Sequence, residues 1–517
     1  MRVRLAALAG CAAIACAVPA LAVDRSLGAD VPKPVASGAP WTDAEMASLS
    51  ANIDMAMAGS TAVRGAHVGL YAIDARDGRV LYQRGGDDAF QPASTFKLVV
   101  GSAALEKLGP DFRFHTEVLS TGGVDGGRLD GELVLRGGGD PFLNAADLDA
   151  AAAAVAKAGI THVARGVRID DSHFEQPGYL PGWNWDDFAY YYATVVGALT
   201  FEENVVHLTI APGANPGDAA TVTAAPIGLV AGPIEGCPPT ASVHVLRYAT
   251  TGAAGAKDTI DVERERSGCI RVTGTIPAGA KADTVDAAVV SPAVYAHDAF
   301  VAALKRHGVE STESTQIAGP WPDEHRIVLA PNTNAAVVWS HDSEPLRDAL
   351  ADLWLPSDNL VAELLLRQLG FAQDGAPGTT AHGIAVETAW LKGLDIDTAA
   401  LAIEDGSGLS TYDRITPHDL VTILKHDWDG PYRDVVLDAL PIAGVRGTLK
   451  SSFAGTPAER HVFAKTGSIS HVSTLAGYVA NAKHGAVIFA FQVDDWVGQS
   501  AALRDLRARV LAHFVED

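Results

Sequence analysis

Three short segments, spread over most of the chain, must meet in space if any of them is to do chemistry. That demand constrains the fold more than any other feature. Ser94-Thr95-Phe96-Lys97 contains the only Ser-x-x-Lys, and Lys465-Thr466-Gly467 is the only Lys-Thr-Gly; Ser357-Asp358-Asn359 lies between them. A second Ser-x-Asn, Ser50-Ala51-Asn52, precedes Ser94 and breaks the order. Ser94 stands where a helix should begin, after Pro92 and ahead of the apolar stretch 98–105. Residues three apart on a helix share a face, with Cβ atoms ~5–6 Å apart, so Lys97 can reach the Ser94 hydroxyl. A serine hydroxyl is a weak nucleophile until a base takes its proton, and a lysine freed of its charge supplies that base. The helix N-terminus adds backbone N–H groups and the positive end of the dipole, both suited to a developing oxyanion. Alone, the four-residue pattern also reads as a cap followed by a solvated lysine. The two later segments, in this order, turn the reading towards a nucleophilic serine.

The first 22 residues bear on the compartment. Arg2 and Arg4 precede an apolar stretch over 5–18, and Ala20-Leu21-Ala22 offers a small-residue cleavage site, the pattern of a secretory signal peptide. A rival reading takes Leu8-Ala9-Gly10-Cys11 as a lipidation box, but its apolar core is shorter than the ~7–15 residues such signals use. No other run approaches the ~18 apolar residues needed to span a bilayer, so the mature chain is expected in the periplasm. With 1–22 removed, Cys237 and Cys269 remain. They are a candidate disulfide, with two free buried thiols as the alternative. Two cysteines make no zinc site by themselves and no His-Glu-x-x-His occurs, so no metal is expected. No P-loop and no Gly-x-Ser-x-Gly is present either, and no cofactor is implied.

Composition and periodicity bound the architecture. With 48% hydrophobic and 20% charged residues over 517 positions, the chain is globular and large enough for more than one domain. A formal net charge of −23 argues against nucleic acid or an anionic membrane surface as partner. Residues 66–84 read as a hairpin about Asp77-Gly78. After residue 115 the texture changes to short strand-like pieces, Gly-rich turns such as Gly137-Gly138-Gly139, and alanine-rich helical segments including 150–156. About half of the chain lies between Lys97 and Ser357, which predicts inserted material over 116–285. Long elements return from about 287: helices over 291–307 and 360–367, strands over 462–468, 474–479 and 486–493, and a closing helix over 501–514. Helices beside an antiparallel sheet built from both ends of the chain give an α+β class, with 23–115 and 286–517 forming the main domain.

Ser-x-x-Lys, Ser-Asp-Asn and Lys-Thr-Gly in this order are the signature of penicillin-binding proteins and serine β-lactamases. Further stretches extend the likeness: Leu108-Gly109-Pro110-Asp111-Phe112, Pro181-Gly182-Trp183-Asn184-Trp185-Asp186-Asp187, Asp405-Gly406-Ser407-Gly408-Leu409-Ser410, Leu440-Pro441-Ile442-Ala443-Gly444 and Leu475-Ala476-Gly477-Tyr478. From about residue 65 to near its end, the chain resembles the low-molecular-mass class C penicillin-binding proteins of the D-alanyl-D-alanine carboxypeptidase/endopeptidase type. The resemblance implies a penicillin-binding-protein/serine β-lactamase-like domain carrying a large, mostly β insert with a smaller domain nested in it. Thr411 and Arg446 depart from the family pattern, which commonly has arginine at the first position and a small or acidic residue at the second. These departures bear on substrate preference rather than on reaction type.

The resemblance also implies roles. Ser94 attacks a D-alanyl carbonyl and forms an ester; Lys97 is the first choice of base, with Lys465 as a neighbouring cation that also attracts the substrate carboxylate. Ser357 relays a proton to the leaving amine, and Asn359 orients Lys97 and the substrate amide. Thr466 offers its hydroxyl to the carboxylate, and Gly467 lets the substrate backbone lie close to the strand. The backbone N–H groups of Ser94 and Ser468 form the oxyanion hole. Asp187 is expected to face the site and bind the amino group of a diaminopimelate side chain; an ordinary loop aspartate is the competing reading. The three tyrosines Tyr190-Tyr191-Tyr192 read as core packing. The implied activity is a serine DD-carboxypeptidase/DD-endopeptidase acting on peptidoglycan stem peptides and cross-links, with β-lactams as covalent inhibitors. The alternatives are a β-lactamase and a sensor that binds cell-wall peptides without turnover.

Overall fold

A computed structural model describes residues 25, 31–175, 178–226, 243–265, 268–312, 335–375, 377–497 and 500–517. The expected signal peptide over 1–22 and Cys237 lie outside the described residues. Cys269 is buried and disulfide-bonded.

The expected hairpin forms: strand His67–Asp74 pairs antiparallel with Val80–Arg84. Its other edge pairs with Gly485–Asp494, which continues through Val472–Asn481 to the edge strand Val462–Ile469. The resulting five-stranded antiparallel sheet draws its strands from both ends of the chain. Gly485–Asp494 is buried along its whole length because both faces of the sheet are covered. With a side-chain period of two, Val487, Phe489, Phe491 and Val493 face the terminal helices, meeting Leu49 and Ile53 of Asp43–Ala58 and Leu506, Val510 and Phe514 of Ser500–Glu516. Ile488 and Ala490 face the opposite layer. Each fully buried residue of this kind contributes ~1.5–3 kcal/mol, so the two faces carry much of the domain's stability.

The opposite layer is helical and centres on Lys97–Leu108. This helix is buried from Lys97 to Leu105, the pattern of a core helix rather than an amphipathic surface one. Gly101 is required there: a Cβ would lie 2.6 Å from the Trp354 ring. Trp354, at the end of helix Leu346–Trp354, donates its indole N–H to the Lys97 carbonyl at 2.9 Å. Helix Asn359–Asp374 packs alongside the same cluster through Val361, Leu365 and Leu366.

A second core belongs to the insert. Its sheets are short, as expected; one joins Ala336–Asp342, His115–Ser120, Leu133–Arg136 and Val167–Asp170. Smaller pairings among residues 245–277 lie within it. The packing runs past the border expected at 285. Helix Pro292–Arg306, assigned from sequence to the main domain, buries Tyr295, Phe300, Ala303 and Leu304 in this second core beside Leu148 and Val155. Strand Ala336–Asp342 then returns to pair with His115–Ser120. The helix itself was legible from its apolar period; which core that face meets is not a property of the period. Among the described residues no helix is long and apolar enough to cross a membrane.

Candidate active site

Ser94 lies in a single 3-10 turn, Ala93–Phe96, that leads into helix Lys97–Leu108. The turn is wound tightly. Ala93 sits at φ 45, a left-handed conformation that a residue with a Cβ holds only when its surroundings enforce it. The enforcement comes from two sides. Thr95 and Thr474 both donate to the Pro92 carbonyl, at 2.6 and 2.7 Å. The turn at Gly408 presses on the Ala93 carbonyl, so closely that a Cβ at Gly408 would come within 1.9 Å.

Lys97, fully buried, extends its ammonium to three oxygens. They are Ser94 Oγ at 2.9 Å, Asn359 Oδ1 at 2.5 Å and the Ser407 carbonyl at 2.8 Å. Asn359 is the first residue of helix Asn359–Asp374, with Asp358 as its N-cap accepting from the Val361 N–H. Ser357, just before it, is held at φ 71. Its hydroxyl accepts from Lys465 Nζ at 2.8 Å, and Lys465 also donates to the Thr466 carbonyl at 2.7 Å. The Ser357-Asp358-Asn359 turn therefore touches both other motifs, one through each end.

Gly467 brings the edge strand against Ser94. A Cβ there would lie 2.9 Å from the Ser94 backbone nitrogen and 2.1 Å from Thr474 Oγ1. Ser468 follows, exposed on the same strand. Thr466 donates its hydroxyl to Thr448 Oγ1 at 2.8 Å.

The electrostatics favour the neutral amine at Lys97 and Lys465. Burial pushes Lys97 down to about 8, against the opposing pull of Asp405, Asp358 and Glu363. Lys465 is lowered well below its ordinary value, first by burial and then by the charge of Lys97. Desolvation therefore outweighs the nearby carboxylates at Lys97. Burial raises Asp358 in turn, opposed by its backbone N–H partners and by Lys97.

Asp187 is half-buried and bound within its own loop, accepting from Tyr192 Oη at 2.9 Å and Asn184 Nδ2 at 3.1 Å. The loop reaches the site through its backbone: the Tyr192 carbonyl accepts from Asn359 Nδ2 at 2.6 Å. Tyr192 packs against the small cluster of Trp183, Phe188, Ala193 and Leu409. Tyr191 is 60% exposed, and Tyr190 stacks on Tyr192 at 5.6 Å. The two departures from the family pattern have local partners. Thr411 donates to the Gly182 carbonyl at 3.1 Å. Arg446 is buried and donates to the carbonyls of Leu440, Asp438 and Arg25, the first two at the end of helix Arg433–Ala439.

The 405–410 turn lies behind Lys97 with Asp405 and Ser407 fully buried. Glu363 belongs to none of the quoted motifs, and the Ser407 carbonyl escapes sequence reading because a backbone acceptor has no side-chain signature.

A family model described as D-Ala-D-Ala carboxypeptidase 3 (S13) matches residues 49–513. The D-alanyl-D-alanine carboxypeptidase of Actinomadura sp. (strain R39) is 35% identical over 465 residues, covering 88% of this chain and 81% of that protein. D-alanyl-D-alanine carboxypeptidase DacB of Haemophilus influenzae is 26% identical over 441 residues, covering 85% and 88%. The crystal structure of penicillin binding protein 4 (dacB) from Haemophilus influenzae superposes with a TM-score of 0.75 at 23% identity, covering 90% of this chain and all of that one. The fold is thus that of a penicillin-binding protein with an added β-rich domain.

Proposed function

The chain belongs to the D-Ala-D-Ala carboxypeptidase 3 (S13) family and is a low-molecular-mass class C penicillin-binding protein; on that premise we propose that it is an exported serine DD-carboxypeptidase with DD-endopeptidase activity, working through an ester on Ser94. The observation that carries this reading is the contact of Lys97 with both Ser94 and Asn359, beside the Lys465–Ser357 pair.

The steps follow from that arrangement. Lys97 Nζ takes the Ser94 proton as Oγ attacks the carbonyl carbon of the penultimate D-alanine. The negative charge on the carbonyl oxygen meets the backbone N–H groups of Ser94 and Ser468, each donor of this kind being worth about 2.7–4 kcal/mol of barrier. Ser357 passes its hydroxyl proton to the leaving nitrogen, and the proton that Lys97 took returns to Ser357 by way of Lys465, which leaves Lys97 neutral again; the C–N bond breaks, and terminal D-alanine departs as the amine. Water then attacks the ester, gives its proton to Lys97, and Ser94 leaves reprotonated. Lys465 and Thr466 receive the substrate's terminal carboxylate. Asp187 offers a carboxylate to a cationic side chain on the stem peptide, which favours diaminopimelate over neutral residues.

Purified muropeptides test the reading: D-alanine release and opening of D-Ala cross-links are expected, together with a long-lived penicilloyl adduct. Rapid hydrolysis of penicillin without D-alanine release would make the protein a β-lactamase. Labelling without any release would make it a sensor.

A further inference from the structure

A deprotonated lysine has two N–H bonds and one lone pair, and only the lone pair can accept the serine proton. Of the three oxygens around Lys97 Nζ, Asn359 Oδ1 and the Ser407 carbonyl are pure acceptors, whereas Ser94 Oγ carries a proton. The two acceptors consume the two N–H bonds, and the lone pair is left facing Ser94. Asn359 does this with its own side chain. Ser407 does it with backbone, so its contribution depends on whatever holds the 405–410 turn in place.

Glu363 holds it from behind. Its Oε1 accepts the backbone N–H groups of Gly406 and Ser407, at 3.0 and 2.9 Å. Glu363 lies one helical turn after Asn359, so a single face of helix Asn359–Asp374 delivers both lysine-orienting contacts. The turn packs directly on this helix: a Cβ at Gly406 would lie 2.9 Å from the Ala362 carbonyl. Asp405 braces the same turn by accepting from the Gly408 and Ser410 N–H groups at 2.6 and 2.7 Å. The insert reaches in as well, with the Trp183 indole N–H donating to Asp405 at 2.8 Å.

We infer that Glu363 is a positioning residue for the acyl-transfer reaction, fixing the Ser407 carbonyl so that the Lys97 lone pair is aimed at Ser94, with Trp183 as a lesser brace from the inserted domain. The inference rests on the serine acyl-transfer reading above. Glu363 does not touch the reacting atoms. The charged and titratable groups facing Lys97 are Asp358, Glu363, Asp405 and Lys465; those facing Glu363 are Arg367, Asp405 and Glu387.

The test measures acylation by penicillin in the full-length protein, as a second-order rate per labelled site across pH. Glu363→Ala is expected to lower the plateau rate by about tenfold or more, the scale of a small misplacement in a reacting group. Its rising limb should move to lower pH, since both the lost carbonyl acceptor and the lost carboxylate had favoured the charged lysine. Glu363→Gln keeps an oxygen that can accept both N–H groups and should restore most of the plateau. Trp183→Phe should lower the plateau by less. Unchanged per-site rate and pH profile in Glu363→Ala would overturn the inference, as would Glu363→Gln falling as far as Glu363→Ala. Should Glu363→Ala fail to fold, the two other variants decide: an unchanged plateau in Trp183→Phe or an unrestored one in Glu363→Gln overturns it. Absence of labelling in the unaltered protein would instead remove the serine reading itself.

Discussion

Lys465 Nζ donates to Ser357 Oγ across 2.8 Å, and this contact joins the edge strand of the sheet to the turn that opens helix Asn359–Asp374. It places an amine, shifted by burial towards its neutral form, beside the hydroxyl that is proposed to protonate the leaving amine. Lys465→Ala should therefore slow D-alanine release by roughly 10²–10⁴-fold, the usual worth of a proton-transfer partner. Steady-state kinetics on a D-Ala-D-Ala peptide check this, and a change under threefold would detach Lys465 from the reaction.

Acylation should rise with pH and level off above about 8, where Lys97 becomes a free amine. The sign follows from the direction of the shift: burial favours the neutral form, so the base is populated above its lowered pKa and lost as pH falls through it. Stopped-flow penicillin acylation gives the profile. A rate that is flat from pH 6 to pH 10, ~two units either side of that value, would assign the base elsewhere.

Gly467→Ala should cripple acylation. The added methyl would meet Thr474 Oγ1 at 2.1 Å and the Ser94 nitrogen at 2.9 Å, so the strand must withdraw from the nucleophile. A displacement of that order costs about 10²-fold in rate. Penicillin labelling kinetics read it directly, with circular dichroism confirming that the sheet persists.

Asp187→Asn tests the proposed side-chain subsite. Tyr192 donates to one carboxylate oxygen and Asn184 to the other, so the single asparagine oxygen keeps one of the two contacts and the loop should stay in place while its charge is lost. KM should rise about tenfold for stem peptides with a free side-chain amine and hardly change for the acetylated form. Equal effects on both peptides would remove the charge-pairing role.

Arg446→Ala should destabilise rather than change specificity. It removes a buried guanidinium and leaves its carbonyl partners at the end of helix Arg433–Ala439 and at Arg25 without that donor. Leaving those acceptors unpaired should cost about 3 kcal/mol or more. Thermal unfolding measures the loss, and the ratio of rates on two stem peptides should stay constant.

Much of the site was readable because Ser94 and Lys97, Ser357 and Asn359, and Lys465 to Gly467 are each close in sequence. The strands that carry them announce themselves through alternation and the Asp77-Gly78 turn. What escaped has a common cause. Helix Pro292–Arg306 shows its apolar face in the sequence but not the core that face meets. Ser407 acts through a carbonyl, Glu363 through backbone N–H groups four positions after Asn359, and Tyr192 through its own carbonyl. Backbone partners leave no trace in side-chain patterns.

The most direct measurement follows one sample of protein through two readouts: D-alanine release from a D-Ala-D-Ala stem peptide, and peptide mapping of the penicilloyl adduct. The account predicts release by the unaltered chain, an adduct on the peptide containing Ser94, and loss of both in Ser94→Ala. Release that survives in Ser94→Ala, or an adduct on another serine, would contradict it.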